Sequence, residues 1–490
     1  MCCCGSTKMS TYVRTYKLRT YKLKLWTYNY TISDSAENVT TCIIMWDESK
    51  SGCDANQMAP GILKWAEALR ESEQEITIWS DNCPSQDHYL HGCNMLLNIW
   101  IITTLCIYVQ SVSSIQMDVV NQWNFLDFDL PYHFDYADIR PENTLFTGLE
   151  ITDDRIFLAM PRLRAGVPAT LAAIPRNTHK GSSPVLRAYP DWSFHGSSRG
   201  EVNCSGIISV YRMRLDSCNK LWVLDSGVMT SLDDFTRVCQ PKLIVIDLFT
   251  DQIVRTIYLP NGVLRPASLM TNLVIDESIQ GRCDSAFVYM SDTAAPGIVV
   301  YDGIRDQAWR FTHPTMFPDP NFSDYNINGE AFTLMDGVVG ISHSPKLGVV
   351  YYQPLATDRI FSIPTATLSK GPPGEFERLP IQFVGKKSSQ GLGLSLNLLD
   401  ETLYFSPLTE TSVASWNPLT NQQKLLAYDP EKLQFPSELR WKSDGYLWLL
   451  STKFQKFFLR NVSPHEVNLR IIRIPLRGRS KSAVTNNLFI

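Results

Sequence analysis

The chain has 490 residues, 44% of them apolar, and a net charge of −4 from 45 basic and 49 acidic side chains. That length exceeds what one small core needs. The nearly balanced charge argues against bulk electrostatic binding of nucleic acid, and glycines and prolines are spread through the chain as turn-rich β-structure requires.

Residues 1–94 differ in texture from the rest of the chain. They open on Cys2-Cys3-Cys4, a triplet that offers an acylation site. The stretch TYVRTYKLRTYKLKLWTY interleaves basic and aromatic residues. Single-strand nucleic-acid binders use that mixture, but here it reads as low complexity without a fold of its own. Pro60–Arg70 predicts a helix, and Glu75–Ser80 predicts a strand that ends on Asp81. This part resembles transposon-derived proteins with nuclease domains of the ribonuclease-H-like type, which place an Asp at a strand end. One carboxylate does not hold two metal ions. The segment therefore reads as a remnant joined to an unrelated protein, an artefact of the gene model.

Residues 95–115 read as a signal peptide. The run MLLNIWIITTLCIYV has the length of a signal core and is short for a membrane span. Val112, Ser113 and Ser114 supply a cleavage site before Ile115 or Gln116. A transmembrane anchor is the alternative, weakened by Asn98, Thr103 and Thr104. On this reading Met95 initiates the protein, residues 116–480 form the mature domain, and 481–490 are a polar tail.

The mature region is built from repeated strand groups. Apolar runs at Ile207–Leu215, Leu221–Leu224 and Leu243–Leu248 are too short for core helices. The first two are joined by Asp216-Ser217-Cys218-Asn219, which suits a tight reversal. The same order recurs at Gly148–Pro175, Ser205–Pro260, Ser268–Phe311, Phe332–Leu368, Gly391–Tyr428 and Ser437–Ile474. Such a period with four strands per unit predicts an all-β, six-bladed β-propeller of four-stranded antiparallel blades. A sandwich of similar strand count is the alternative, and the constant internal order argues against it.

Cysteines divide at the apolar run. Eight lie at or before Cys106; Cys204, Cys218, Cys239 and Cys283 come after it. An even number in a secreted domain predicts two disulfides. Cys204 precedes an inner strand, and Cys239 closes the loop between the second and third strands, on the same face of the blade. Cys218 and Cys283 occupy the first hairpins of adjacent blades, on the other face. The expected pairs are Cys204–Cys239 and Cys218–Cys283. Sequons at Asn203 and Asn321 fit a secretory route, while Pro464 makes Asn461 a poor acceptor.

Catalytic signatures are missing from the sequence. It contains no HExxH, paired CxxC, GxSxG or phosphate-binding glycine loop. His133, His179, His195, His313, His343 and His465 are scattered without ligand spacing. No metal site and no cofactor are expected.

From Trp123 to Ile474 the chain resembles the insect yellow and major royal jelly protein family. The resemblance is carried by WNFLDFDLP (Trp123–Pro131), MPRLRAGVPATLAAIP (Met160–Pro175) and RGEVNCSGIISVYRMRLDSCNKLWVLDSG (Arg199–Gly227). QPKLIVIDLFTDQIVRTIYLP, VVGISHSP, LGVVYYQPLATDRIFSIPT, SVASWNP and FPSELRWKSDGYLWLLS come next, in family order. The family's usual cysteine before Trp in the fifth unit is Ser415 here. The resemblance implies a secreted six-bladed propeller from an insect. Its roles span cuticle pigmentation, eggshell, royal-jelly nutrition, salivary amine binding and dopachrome conversion.

Propellers bind ligands where inner strands begin at the tunnel mouth. Those starts are expected near Gly148, Ser205, Asn272, Glu330, Gln390 and Ser437. Asn272, Glu330, Phe332, Gln390, Asn417 and Phe435 are the candidate ligand-binding residues. A carboxylate, amides and ring faces together suit a small aromatic amine or catechol. No nucleic acid and no stable membrane span are expected for this region. The competing expectations are a dopachrome-converting isomerase, with Glu330 as the acid or base, and a matrix protein whose tunnel is occluded. A calcium-dependent hydrolase needs more inward oxygen ligands than Asn272 and Glu330 supply.

Overall fold

The computed structural model describes residues 27–32, 42–47, 117–132, 136–195, 203–279, 282–375 and 377–476. The chain divides into two compact units, residues 1–108 and 109–490. In the first, Thr27–Ile32 and Cys42–Asp47 pair as antiparallel strands. The helix expected at 60–70, the strand at 75–80, the apolar run 95–109 and the tail 481–490 lie outside the described residues. Among the described residues no helix is long and apolar enough to cross a membrane.

The second unit is a six-bladed propeller of four-stranded antiparallel sheets. Blade 1 comprises Gly148–Ile151, Arg155–Ala159, Leu171–Pro175 and Arg187–Ala188. Blade 2 comprises Val210–Leu215, Lys220–Asp225, Lys242–Asp247 and Gln252–Tyr258. Blade 3 comprises Met270–Asp276, Phe287–Asp292, Gly297–Asp302 and Gln307–Phe311. Blade 4 comprises Val338–Ser344, Val349–Pro354, Arg359–Pro364 and Gln382–Lys386. Blade 5 comprises Leu394–Leu396, Leu403–Phe405, Ser412–Asn417 and Gln422–Tyr428.

Blade 6 combines both ends of the propeller. Pro436–Trp441, Tyr446–Thr452 and Leu469–Pro475 are completed by Asp118–Trp123, which pairs antiparallel with Leu469–Pro475. A short helix, Phe454–Phe458, lies between the second and third of these strands. Hydrogen bonding to a distant strand closes the ring and removes an open edge.

Strand burial varies with position in the blade. The third strand of blade 2, KLIVID, is almost wholly buried, and the outer strand QIVRTIY exposes alternate residues. Inner strands are packed by neighbouring blades on both faces, so only outer strands show period-two amphipathicity. Cys204–Cys239 and Cys218–Cys283 are bonded, with Cα separations of 5.5 and 5.7 Å, as the same-face argument expects. Asp216 accepts from the Cys218 and Lys220 amides at 2.8 and 2.9 Å, and Asn219 turns the chain with φ 59°.

Four inner strands share an irregularity near their starts. Their pairing slips between Val210 and Arg212, Met270 and Asn272, Val338 and Gly340, and Pro436 and Glu438. A bulge of this kind re-aims the side chains beside it. All four surround the end of the tunnel where the inner strands begin.

Candidate functional site

That end is covered by a hairpin outside the blades. Asp324–Ile327 pairs with Glu330–Thr333 across the two-residue loop Asn328-Gly329. Both loop residues have positive φ, 51° and 85°, the backbone that Asn-Gly favours in a tight hairpin. The fourth unit was expected to begin at Glu330 and Phe332. Instead its inner strand begins at Val338, because the Asn-Gly turn makes an extra hairpin first.

The hairpin is tied to several blades. Gln390, on the crossing from blade 4 to blade 5, donates to Phe322 O at 3.0 Å and Asp324 O at 2.7 Å. Asn328 donates to Pro430 O, between blades 5 and 6, at 2.5 Å. Glu330 lies 3.9 Å from Lys456 on the Phe454–Phe458 helix of blade 6. Phe332 stacks on Tyr325 at 4.9 Å and meets Phe458 at 5.2 Å and Phe454 at 6.3 Å. Phe435 lies flat on Phe454 at 4.5 Å, its backbone held at φ 46°. A left-handed conformation is costly for a bulky side chain and marks a site held by its surroundings.

The chain leaves the hairpin into Asp336. This carboxyl is half-buried and makes no side-chain hydrogen bond or ion pair among the described residues. Burial pushes it up to about 6. Two phenols sense its charge. Burial and then Asp336 raise Tyr325, whose enclosed hydroxyl has no hydrogen-bond partner. Tyr211, in the blade 2 bulge, is likewise raised chiefly by burial, with Asp336 adding; its hydroxyl meets Ser231 Oγ at 2.8 Å.

Below the mouth, charged side chains span the tunnel. Arg212 and Arg214 of blade 2 both pair with Glu438 of blade 6, Arg214 at 3.1 Å. Arg212 also donates to Thr147 O of blade 1 and to Ser437 O of blade 6 at 2.6 Å. Arg214 reaches Asn272 Oδ1 of blade 3 at 2.9 Å. Glu150 of blade 1 pairs with Arg440 at 2.6 Å and Lys442 at 3.2 Å. Glu150 is fully buried, and although desolvation opposes it, these cations together hold its carboxyl at about 2. Desolvation pulls Arg214 down to about 10.

The six candidate residues therefore separate. Glu330, Phe332, Gln390 and Phe435 gather around the hairpin. Gln390 spends its amide donors on hairpin carbonyls and serves as a clamp. Glu330 faces Lys456, although its Oε2 is enclosed without a hydrogen-bond partner. Asn272 lies in the belt, its amide donating to Val339 O at 3.0 Å and its oxygen taken by Arg214. Asn417 is a correction: it ends a third strand, so the chain has reversed twice and placed it at the far end of the blade. There it donates to Asp400 O at 2.7 Å and caps the turn after the strand. Asn203 and Asn321 are both exposed. Tyr211, Tyr325 and Asp336 went unread. The Asn-Gly dipeptide before Asp336 was the available signal.

Comparison with known proteins shows the family of the chain. Residues 208–483 match the family described as Major royal jelly protein. The chain belongs to the major royal jelly protein family. It is 30% identical over 400 residues to dopaminechrome tautomerase of Drosophila melanogaster, covering 76% of this chain and 85% of the relative. It is 29% identical over 395 residues to Protein yellow of Drosophila erecta, covering 77% and 72%. Among solved structures, virginiamycin B lyase from Staphylococcus aureus aligns with TM-score 0.37 and 10% identity over 64% of this chain and 79% of that one. A Bacteroides thetaiotaomicron protein of unknown function aligns with TM-score 0.43 and 8% identity over 74% and 76%. Neither of these two structural likenesses bears on chemistry. Among the described residues no group of three or more His, Cys, Asp or Glu side chains is arranged to hold a metal ion.

Proposed function

We propose that this major royal jelly family member is a secreted propeller that binds a small aromatic amine or catechol beneath the hairpin, in cuticle pigmentation or eggshell maturation. The observation that carries the reading is Asp336, an unpaired carboxylate beside two phenols at an aromatic-walled mouth. An ammonium group would give it the partner it lacks, and ring faces would receive the ligand's ring. Phe332, Phe435 and Tyr325 pack together beneath the hairpin, so a ligand ring would reach their faces as the hairpin lifts. Secretion is supported by the signal-like run 95–115, the two disulfides and the exposed sequons at Asn203 and Asn321. The relative named dopaminechrome tautomerase supports a catechol-derived ligand.

Calorimetric titration of the secreted protein with dopamine tests this. Asp336→Asn should weaken binding by about 1–3 kcal/mol, the scale of a charge-assisted hydrogen bond. Absence of dopamine binding by the unsubstituted protein, or equal affinity in Asp336→Asn, would overturn the assignment.

A further inference from the structure

The belt across the tunnel holds more positive charge than its carboxylates balance. Four cationic side chains, Arg212, Arg214, Arg440 and Lys442, face two carboxylates, Glu150 and Glu438. Among the described residues none of the six pairs with a charge outside this group, so four cations against two anions leave two positive charges over. The excess is deep in the protein: the side chains of Arg212 and Arg214 are 3% and 6% exposed, and that of Glu438 is 3% exposed. The Thr147 and Ser437 carbonyls satisfy donors of Arg212 without cancelling its charge. Buried charge of one sign is costly unless a counter-charge joins it. We infer that the tunnel binds a chloride ion between Arg214 and Arg440, held by the Nε–H group of each. This site is separate from the mouth and does not rest on the ligand proposed there.

The donors identify the ligand class. Arg214 directs its terminal nitrogens to Met213 O, Asn272 Oδ1 and Glu438 Oε1 at 2.7, 2.9 and 3.1 Å. Arg440 donates to Glu150 Oε2 at 2.6 Å. The Nε atoms of both arginines are enclosed and make no hydrogen bond, whereas Arg212 Nε lies against Glu438 Oε2. A buried donor left unpaired is destabilising, and a charged one more so. The two guanidinium groups also oppose each other. Burial and then the charge of Arg440 pull Arg214 down, while Glu438 and Glu150 oppose that less strongly. Arg212 is lowered chiefly by burial, with Arg440 adding. One monatomic anion accepts from two N–H groups and relieves this repulsion at the same time. A phosphate or sulfate brings four oxygens, more than two enclosed donors satisfy. Lys442, whose side chain is partly exposed, keeps the remaining positive charge within reach of water.

The test uses the secreted protein purified in sodium gluconate, which supplies a bulky organic anion. Thermal unfolding is followed as chloride replaces gluconate at constant ionic strength. Chloride should raise Tm along a saturating curve, as a ligand of the folded state does. Arg440→Gln removes one excess charge and one donor yet leaves Glu150 paired with Lys442. That variant should bind chloride about 10-fold more weakly, the scale of a lost charge-assisted hydrogen bond. Lys370→Gln, at a well-exposed cation, should keep the full chloride response. Crystals of the unsubstituted protein soaked in sodium bromide should show anomalous scattering beside Arg214 Nε and Arg440 Nε, a readout that stands even where Arg440→Gln does not fold. A Tm indifferent to the exchange of chloride for gluconate would overturn the inference and mean that water hydrates the excess charge. A full chloride response in Arg440→Gln, or bromide found only at other places, would overturn it as well.

Discussion

The mouth and the belt treat buried carboxyls in opposite ways. Glu150 is surrounded by Arg440, Lys442 and Arg214, and its acidity is strengthened to about 2. Asp336 has no cation beside it, and its acidity is weakened to about 6. Both are inside one propeller, so burial alone does not set the protonation state. The neighbours decide it. The belt joins blades 1, 2, 3 and 6 through paired charge, although Arg214 Nε and Arg440 Nε are enclosed without a hydrogen bond, whereas at the mouth the Asp336 carboxylate has no ion pair and the Tyr325 hydroxyl no partner among the described residues. Unpaired buried polar groups are destabilising, so a ligand that pairs them would stabilise the mouth.

The contrast breaks most severely at Glu438. Its carboxylate faces both Arg212 and Arg214, and all three side chains are nearly inaccessible. Replacing Glu438 by Gln removes the shared anion and leaves two buried guanidinium groups. The expected loss is about 3–5 kcal/mol, as for other single-sided disruptions of buried ion pairs. Urea unfolding of the variant measures it. A change under about 1 kcal/mol would mean that the belt is hydrated and screened, in the manner of a surface network.

Titration sharpens the comparison, because the two carboxyls contribute with opposite sign. Glu150 is held below its usual value of 4.5, so its stabilisation is present above pH 4.5 and is lost as pH falls towards 2. Glu150→Gln should cost about 3 kcal/mol at pH 7, with the difference shrinking below pH 4.5. Asp336 is raised from 3.8 to about 6, so its contribution is fully present below pH 3.8 and is lost as pH rises through 6. Asp336→Asn should therefore stabilise the protein by about 1–3 kcal/mol at pH 7, and the gain should vanish below about pH 4. Unfolding curves for both variants between pH 3 and pH 8 would show the differences closing in acid from opposite sides. A destabilised Asp336→Asn at pH 7 would mean the carboxylate has a partner in solution.

The blades were legible because inner strands carry dense apolar runs separated by turn residues. The disulfide pairs came from counting strand reversals from one face to the other. The same counting, applied to Asn417, would have sent it away from the mouth. The outer strand of blade 6 was not legible, since its partner lies at the opposite end of the domain and local pattern does not reveal long-range pairing. The Phe454–Phe458 helix was not legible, because five residues are too few to show a helical period. Asp336 was missed for a different reason. Its environment is made by Tyr211 and Tyr325, from two separate elements, and by bulges that no alternation of residue types announces. Glu330 drew attention as the acidic residue in the right segment, yet the Asn-Gly turn gave it Lys456 as a neighbour.

The smallest expected effect concerns the cover of the mouth. Gln390 holds the hairpin through two carbonyls, at 3.0 and 2.7 Å, without being placed to face a ligand. Replacing it by Ala removes both hydrogen bonds, for a net cost of about 1 kcal/mol. Core packing of Phe332 and Tyr325 remains, so the hairpin should stay folded and open more often. Dopamine release, monitored by stopped-flow quenching of protein fluorescence, should quicken by several-fold, on the order of the factor of 5 that 1 kcal/mol represents. Association should change little, because the charge at Asp336 is untouched. An unchanged release rate would mean that ligands leave without moving the hairpin. Slower association alone would mean that Gln390 shapes the entrance and does not hold it shut.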